Sequence, residues 1–199
     1  MSGPTARYHH GDLRRALLTL AERKLEATGV EGLSLRDLAR EVGVSHSAPR
    51  RHFPDKQALL DALAIQGLQR LGGRLDAALA DSTGTFGARM TAFASAYVDF
   101  ATRHPALLAL MFTQKDRPDA PELREANDRA FAAPSALIAE AEANGEIVSD
   151  DPDRVAMAVL ATLQGLASII TSGMIGERSA STVVSGTVEI LLHGLLREP

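Results

Sequence analysis

The 199-residue chain has no cysteine, which excludes disulfides, thiolate metal sites and a cysteine nucleophile and is compatible with a reducing compartment. No apolar run approaches the roughly 18 residues of a membrane span. The N-terminal stretch MSGPTARYHHGDLRR lacks the apolar core of a secretory signal. A cytoplasmic protein without a membrane partner is therefore expected. GxSxG, a Gly-rich phosphate loop and a clustered carboxylate–His pattern are also missing. His9 and His10 are adjacent, so their rings diverge and suit a metal poorly. The sequence calls for no catalytic residue, no metal and no cofactor. Strand-like alternation, internal repeats and low-complexity linkers are absent as well.

What remains is ordinary for a globular protein: hydrophobic residues are 45% and charged residues 23%. The length allows one to two domains with a real core. The net charge of -4 conceals an asymmetry. Residues 1–56 carry 10 Lys and Arg against 7 Asp and Glu, together with four of the six His; residues 57–199 carry 11 against 18. A basic head on an acidic body points to phosphate at the head only.

Apolar spacing of 3.6 residues runs through nearly the whole chain, so an all-α fold of about nine helices is expected. The first spans about 11–28, with Leu13, Leu17, Leu20, Ala21, Leu25 and Ala27 available for burial and Gly29 placed as a C-terminal cap. Ser34-Leu35-Arg36-Asp37 fits a capping box with a short carboxylate. Gly43 ends that second helix, and Ala39 allows a close crossing. Ser45 or His46 opens a third helix ending near His52, where Pro49 predicts a late start or a distorted first turn. Asp55 caps a fourth helix from Lys56 toward Leu75, weakened at Gly72 and Gly73. Five more follow, at about 84–103, 105–112, 120–144, 152–175 and 180–196, with Pro134 expected to kink or split one of them.

A short polar helix after a tight turn, flanked by basic residues, has the shape and charge of a major-groove reader. Ser45, His46, Ser47 and Ala48 occupy its base-facing part. Short Ser and Ala side chains permit close approach, although Ser45 as a simple cap is the plainer reading. Arg50, Arg51, His52 and Lys56 are candidates for phosphates, as are Ser34 and Arg36 at a helix N-terminus that favours anions. The plainer reading of any one of these Arg residues is a solvated surface charge, and His52 could instead pack beside Phe53. Arg7, Tyr8, His9 and His10 form either an arm over DNA or a tail.

The order and spacing of LRRALLTLAERKLEATG, SLRDLAREVGVS and HFPDKQALL over about fifty residues resemble the DNA-binding domain of the TetR family of bacterial transcriptional regulators. YVDFATRHPALLALMF and ATLQGLASIITSGM look like the WHG-type branch of that family's ligand-binding domains. The resemblance implies a three-helix helix-turn-helix head, 1–56, and a larger helical ligand-binding and dimerisation body, 57–199. It further implies a repressor, homodimeric through its last two long helices, that leaves a pseudo-palindromic double-stranded operator when a small apolar effector enters the body. One position departs from the pattern: relatives usually carry an aromatic residue where this chain has Arg50. Arg can serve the same phosphate but cannot pack as a ring does.

Phe86, Met90, Phe93, Tyr97 and Phe100 share one helix face. Core packing explains most of it; the resemblance makes Phe93, Tyr97 and Phe100, with Leu107, Met111, Phe112 and Gln164, the candidate pocket lining. His104 is either a helix cap or a ligand-orienting group. In 152–175 a small-residue stripe (Ala158, Ala161, Gly165, Ser168) lies beside a large one (Val155, Val159, Leu163, Leu166, Ile170). The last helix is apolar over an arc containing Val184, Val188, Leu191 and Leu195, flanked by Val183, Thr187 and Ile190. That is wide enough to cover a core and meet a symmetry mate. A sequence-tolerant architectural DNA binder and an all-α enzyme are the alternatives. The acidic body argues against the first and the missing motifs against the second.

Overall fold

The computed structural model describes residues 10–114, 119–147 and 151–195. Among them are eight α-helices: α1 His10–Thr28, α2 Leu35–Val42, α3 Lys56–Asp81, α4 Phe86–Arg103, α5 Pro105–Gln114, α6 Pro121–Ala143, α7 Pro152–Thr171 and α8 Ala180–Leu195. Short 3-10 turns lie at Val30–Gly32 and Pro49–Arg51. The all-α expectation holds, but the expected third α-helix is replaced by the second of these turns. Of the expected arm, Arg7, Tyr8 and His9 lie outside the described residues, and His10 is the first residue of α1.

The chain divides into two compact units. The first joins Met1–Gly67 to Ala106–Leu123, and the second joins Leu68–Pro105 to Arg124–Pro199. In the first unit α1 buries Leu13, Leu17, Leu18, Leu20, Ala21 and Leu25. Ala27, counted as a core candidate, is exposed instead. Gly29, at φ 68°, closes α1 with its N–H on the Leu25 carbonyl at 2.9 Å. Leu107 and Met111 of α5 lie against Gly67 of α3, where a Cβ would fall 2.7 Å from Met111 Sδ and 3.1 Å from Leu107 Cγ. Gly67 therefore allows this close approach.

α3 is not weakened at its glycine pair and runs through it to Asp81. Gly72 faces α6 so closely that a Cβ would lie 2.9 Å from the Ala130 Cα, whereas Gly73 faces open space. Pro134 sits inside α6 without splitting it. α7 stops at Thr171, short of the expected 175, as Gly173 turns left-handed at φ 75° and donates to the Ile170 carbonyl.

In the second unit α4 buries Phe86, Met90, Phe93, Tyr97 and Phe100, all five of the expected face. α7 buries Val155, Val159, Leu163 and Leu166, while its small-residue stripe is exposed. α8 buries Val184, Val188 and Leu192. Leu192, not Leu191, completes the line because four residues, not three, return nearest to the same face; the side chain of Leu195 is outside the described residues. The expectation of no span-length apolar segment also needs correction. Pro152–Thr171 is long and apolar enough to cross a membrane by length and composition alone, a test that the core helix of a soluble protein also passes.

Candidate nucleic-acid interface

Each local turn around the candidate site has a sequence cause. Ser34, in extended conformation, caps α2 with Oγ accepting from the Asp37 N–H at 3.4 Å. The Asp37 carboxylate meets Arg40 at 2.7 Å. Gly43, at φ 80° and ψ 30°, takes the left-handed cap, and the Val44 N–H reaches back to the Ala39 carbonyl at 3.0 Å. Residues 46–48 then turn into Pro49–Arg51 through i to i+3 bonds. Ala48 donates to the Ser45 carbonyl at 3.0 Å, Arg51 to Ala48 at 3.2 Å, and His52 to Pro49 at 2.9 Å. Pro49 brings no N–H of its own and is buried, so the distorted start extends over the whole segment expected to read the major groove. Neither Ser45 nor His46 caps it: the turn's N-cap is Ala48, and the Ser45 and Ser47 hydroxyls lie 3.3 Å apart.

Phe53 anchors the far side of this turn. It is buried, with the Arg14 guanidinium 5.5 Å above its ring, while the His52 ring lies 6.4 Å away and tilted. Asp55 then caps α3, its Oδ1 accepting from the Ala58 N–H at 2.8 Å. Ser45, His46, Ser47, Arg36, Arg50 and Arg51 are exposed; Ser34, Ala48, His52 and Lys56 are half-buried. The basic residues divide into two groups. Lys24 pairs with Glu41 at 2.7 Å and Arg40 with Asp37 at 2.7 Å. Arg36, Arg50, Arg51 and Lys56 have no ion-pair partner among the described residues. Lys56 opens a helix whose first turn holds no acidic residue.

The seven candidate pocket residues fall in both units. Phe93, Tyr97 and Phe100 are buried in the second. The Tyr97 hydroxyl has no hydrogen-bond partner among the described residues, and burial pushes its pKa well above the usual phenol value. Phe100 lies beneath the Arg70 and Arg74 guanidinium groups, 5.9 and 5.7 Å from its ring centre. Leu107 and Met111 are buried in the first unit, Phe112 there is half-buried, and Gln164 is half-buried on α7. His104 sits at the C-cap of α4, its N–H on the Phe100 carbonyl and its Nε2 3.1 Å from Arg70. A separate cleft of about 360 Å³ in the second unit, between the start of α4 and α8, contains none of the seven. Sequence reasoning missed Glu26, which accepts from the backbone N–H of Ala106 and Leu107; nothing local to residue 26 signals it.

The turn geometry and all-α architecture define a helix-turn-helix protein. Residues 17–63 match the model described as bacterial regulatory proteins, tetR family, and 90–195 match the tetracyclin repressor-like C-terminal domain. The chain belongs to the TetR family. It is 44% identical to a Rhodococcus sp. RHA1 protein of unknown function whose solved structure superposes with a TM-score of 0.87, covering 96% of this chain and 100% of that one. The class D tetracycline repressor of Escherichia coli is 39% identical over 57 residues, which cover 29% of this chain and 26% of that protein. The nucleoid occlusion factor SlmA of Haemophilus influenzae is 32% identical over 108 residues, 51% and 49% of the two lengths. The chain thus spans between about a quarter and a half of these curated relatives.

Proposed function

We propose that the chain is a sequence-specific DNA-binding transcriptional repressor, a cytoplasmic homodimer released from a pseudo-palindromic operator by a small apolar effector. In this reading the DNA-binding head is 1–56, the body 57–199 binds the effector and dimerises, and no step is enzymatic. The observation that carries it is the surface around 45–56. Exposed polar side chains at Ser45, His46 and Ser47 accompany four cations, Arg36, Arg50, Arg51 and Lys56, that no carboxylate neutralises among the described residues. Phosphate contacts supply most of the affinity and short side chains at base edges supply the choice of sequence.

Dimerisation is supported by the uncovered faces of α7 and α8. On α7, Met157 and Ile169 are 65% and 42% exposed beside its small-residue stripe, and Ile190 on α8 is 77% exposed. Small residues let helices approach, and exposed aliphatic ones favour cover by a second copy. Two heads related by a two-fold axis read two half-sites. Gel shifts on the protein's own promoter region against random duplex test the reading, with sedimentation of the free protein. Selective retardation by a dimer is expected. Equal retardation of random duplex favours an architectural binder, and a stable monomer at micromolar concentration ends the two-fold reading.

A further inference from the structure

α5 lies in the body by sequence position, yet 106–123 packs with the first unit. Its first turn is fully satisfied. His104 donates to the Phe100 carbonyl at 3.0 Å, and Pro105 has no N–H. The next two donors both go to one side chain: Ala106 to Glu26 Oε2 at 3.1 Å and Leu107 to Oε1 at 3.0 Å. A carboxylate at a helix N-terminus accepts charge-assisted bonds and is further favoured by the helix dipole. The clasp is partly buried, so water competes with it less than at an open surface. The other end of α5 is tied as well, since Gln57 donates to Gln114 at 2.7 Å and to Asp61 at 2.8 Å.

The helix that carries Glu26 also touches both parts of the DNA-facing turn. Arg14 of α1 lies over Phe53, directly after the recognition element, and Lys24 of α1 holds Glu41 of α2. A shift of the recognition turn on DNA therefore acts on α1, and α1 acts on the start of α5 through two bonds. We infer that Glu26 is a positioning residue that couples DNA occupancy of the head to the onset of α5. This inference rests on the DNA-binding reading above. The clasp is tighter with DNA bound and looser without it, so whatever loosens the clasp weakens DNA binding.

The test uses the full-length protein and a duplex from its own promoter region, following amide hydrogen exchange at Ala106 and Leu107. In the wild type, DNA is expected to slow both amides by about fivefold or more, the lower end of usual coupling between distinct sites. Glu26→Ala should speed both amides in the free protein. It should also raise the DNA dissociation constant by the factor by which DNA slowed them, because coupling is reciprocal. Glu26→Gln, which keeps one accepting oxygen, should fall between. If Glu26→Ala fails to fold, Glu26→Gln and the wild-type exchange decide. A merely structural clasp leaves the wild-type amides indifferent to DNA and the dissociation constant of a folded variant unchanged, and either result overturns the inference. A wild type that binds no DNA overturns the functional reading and takes this one with it; binding with unresponsive amides overturns the clasp alone.

Discussion

Lys56→Ala tests a single proposed phosphate contact. Lys56 is the first residue of α3, where the positive end of the helix dipole disfavours a cation, and it has no ion pair among the described residues. Its removal costs the helix nothing, so a loss of binding cannot be assigned to unfolding. If Arg36, Arg50, Arg51 and Lys56 each meet one phosphate, a homodimer neutralises about eight, and the slope of log affinity against log salt is about -7. Binding should then weaken by about 10⁴ between 50 and 200 mM salt, values chosen for the titration. The substitution removes one contact per head, flattening the slope by about 1 for each head and so about 2 for the dimer.

The assay is fluorescence anisotropy on the operator and on an unrelated duplex across that salt range. Both slopes should change alike, because a phosphate contact carries no sequence information. Lys24→Ala is the control: Lys24 is held by Glu41 at 2.7 Å, and its loss should leave the slope unmoved. An unchanged slope in Lys56→Ala, or an equal change in Lys24→Ala, would refute the assignment of affinity to the unpaired cations.

The adjacent glycines of α3 should respond to alanine with opposite signs. Gly73→Ala meets nothing within 4 Å and should stabilise by about 0.5–1 kcal/mol through helix propensity. Gly72→Ala drives a Cβ to 2.9 Å from the Ala130 backbone, and overpacking of about 1–3 kcal/mol should exceed that gain. Urea melts of the two variants check this, and stabilisation of both would show that α6 yields freely. Tyr97→Phe should raise the melting temperature of the effector-free protein, since it deletes a buried hydroxyl without a partner whose burial costs about 1–3 kcal/mol. A lower melting temperature would mean that the hydroxyl is bonded after all.

Features whose cause lies within four residues were legible in the sequence. Ser34, Gly43 and Asp55 act on N–H and carbonyl groups of their own turn, and each stands where its residue type requires. Pro49 was legible as a disturbance but not in extent. A missing N–H distorts a helix start, yet whether an α-helix recovers afterwards depends on what buries the ring and on Phe53 beyond it. The register of α8 follows the same local rule: the four-residue step from Val184 to Val188 continues to Leu192, which is buried, and Leu191 falls off that line.

The contacts that sequence could not show join residues far apart in the chain. Gly72 resembles a weak point in a helix until Ala130 is placed against it. Glu26 resembles a solvated charge on an amphipathic helix until the backbone of Ala106 and Leu107 is found on its two oxygens. Backbone donors carry no side-chain identity, so nothing in the residue types at 106 and 107 asks for a carboxylate; Pro105 alone marks that a helix begins. A local code thus places the groups proposed to face DNA, whereas the bonds fixing α5 within the same unit as those groups emerge only from the tertiary fold. If α5 answers to the effector while its first turn answers to α1, a substitution at Glu26 should separate DNA affinity from the fold of the recognition turn, which substitutions at Ser34, Gly43 or Asp55 cannot do because they alter that turn directly.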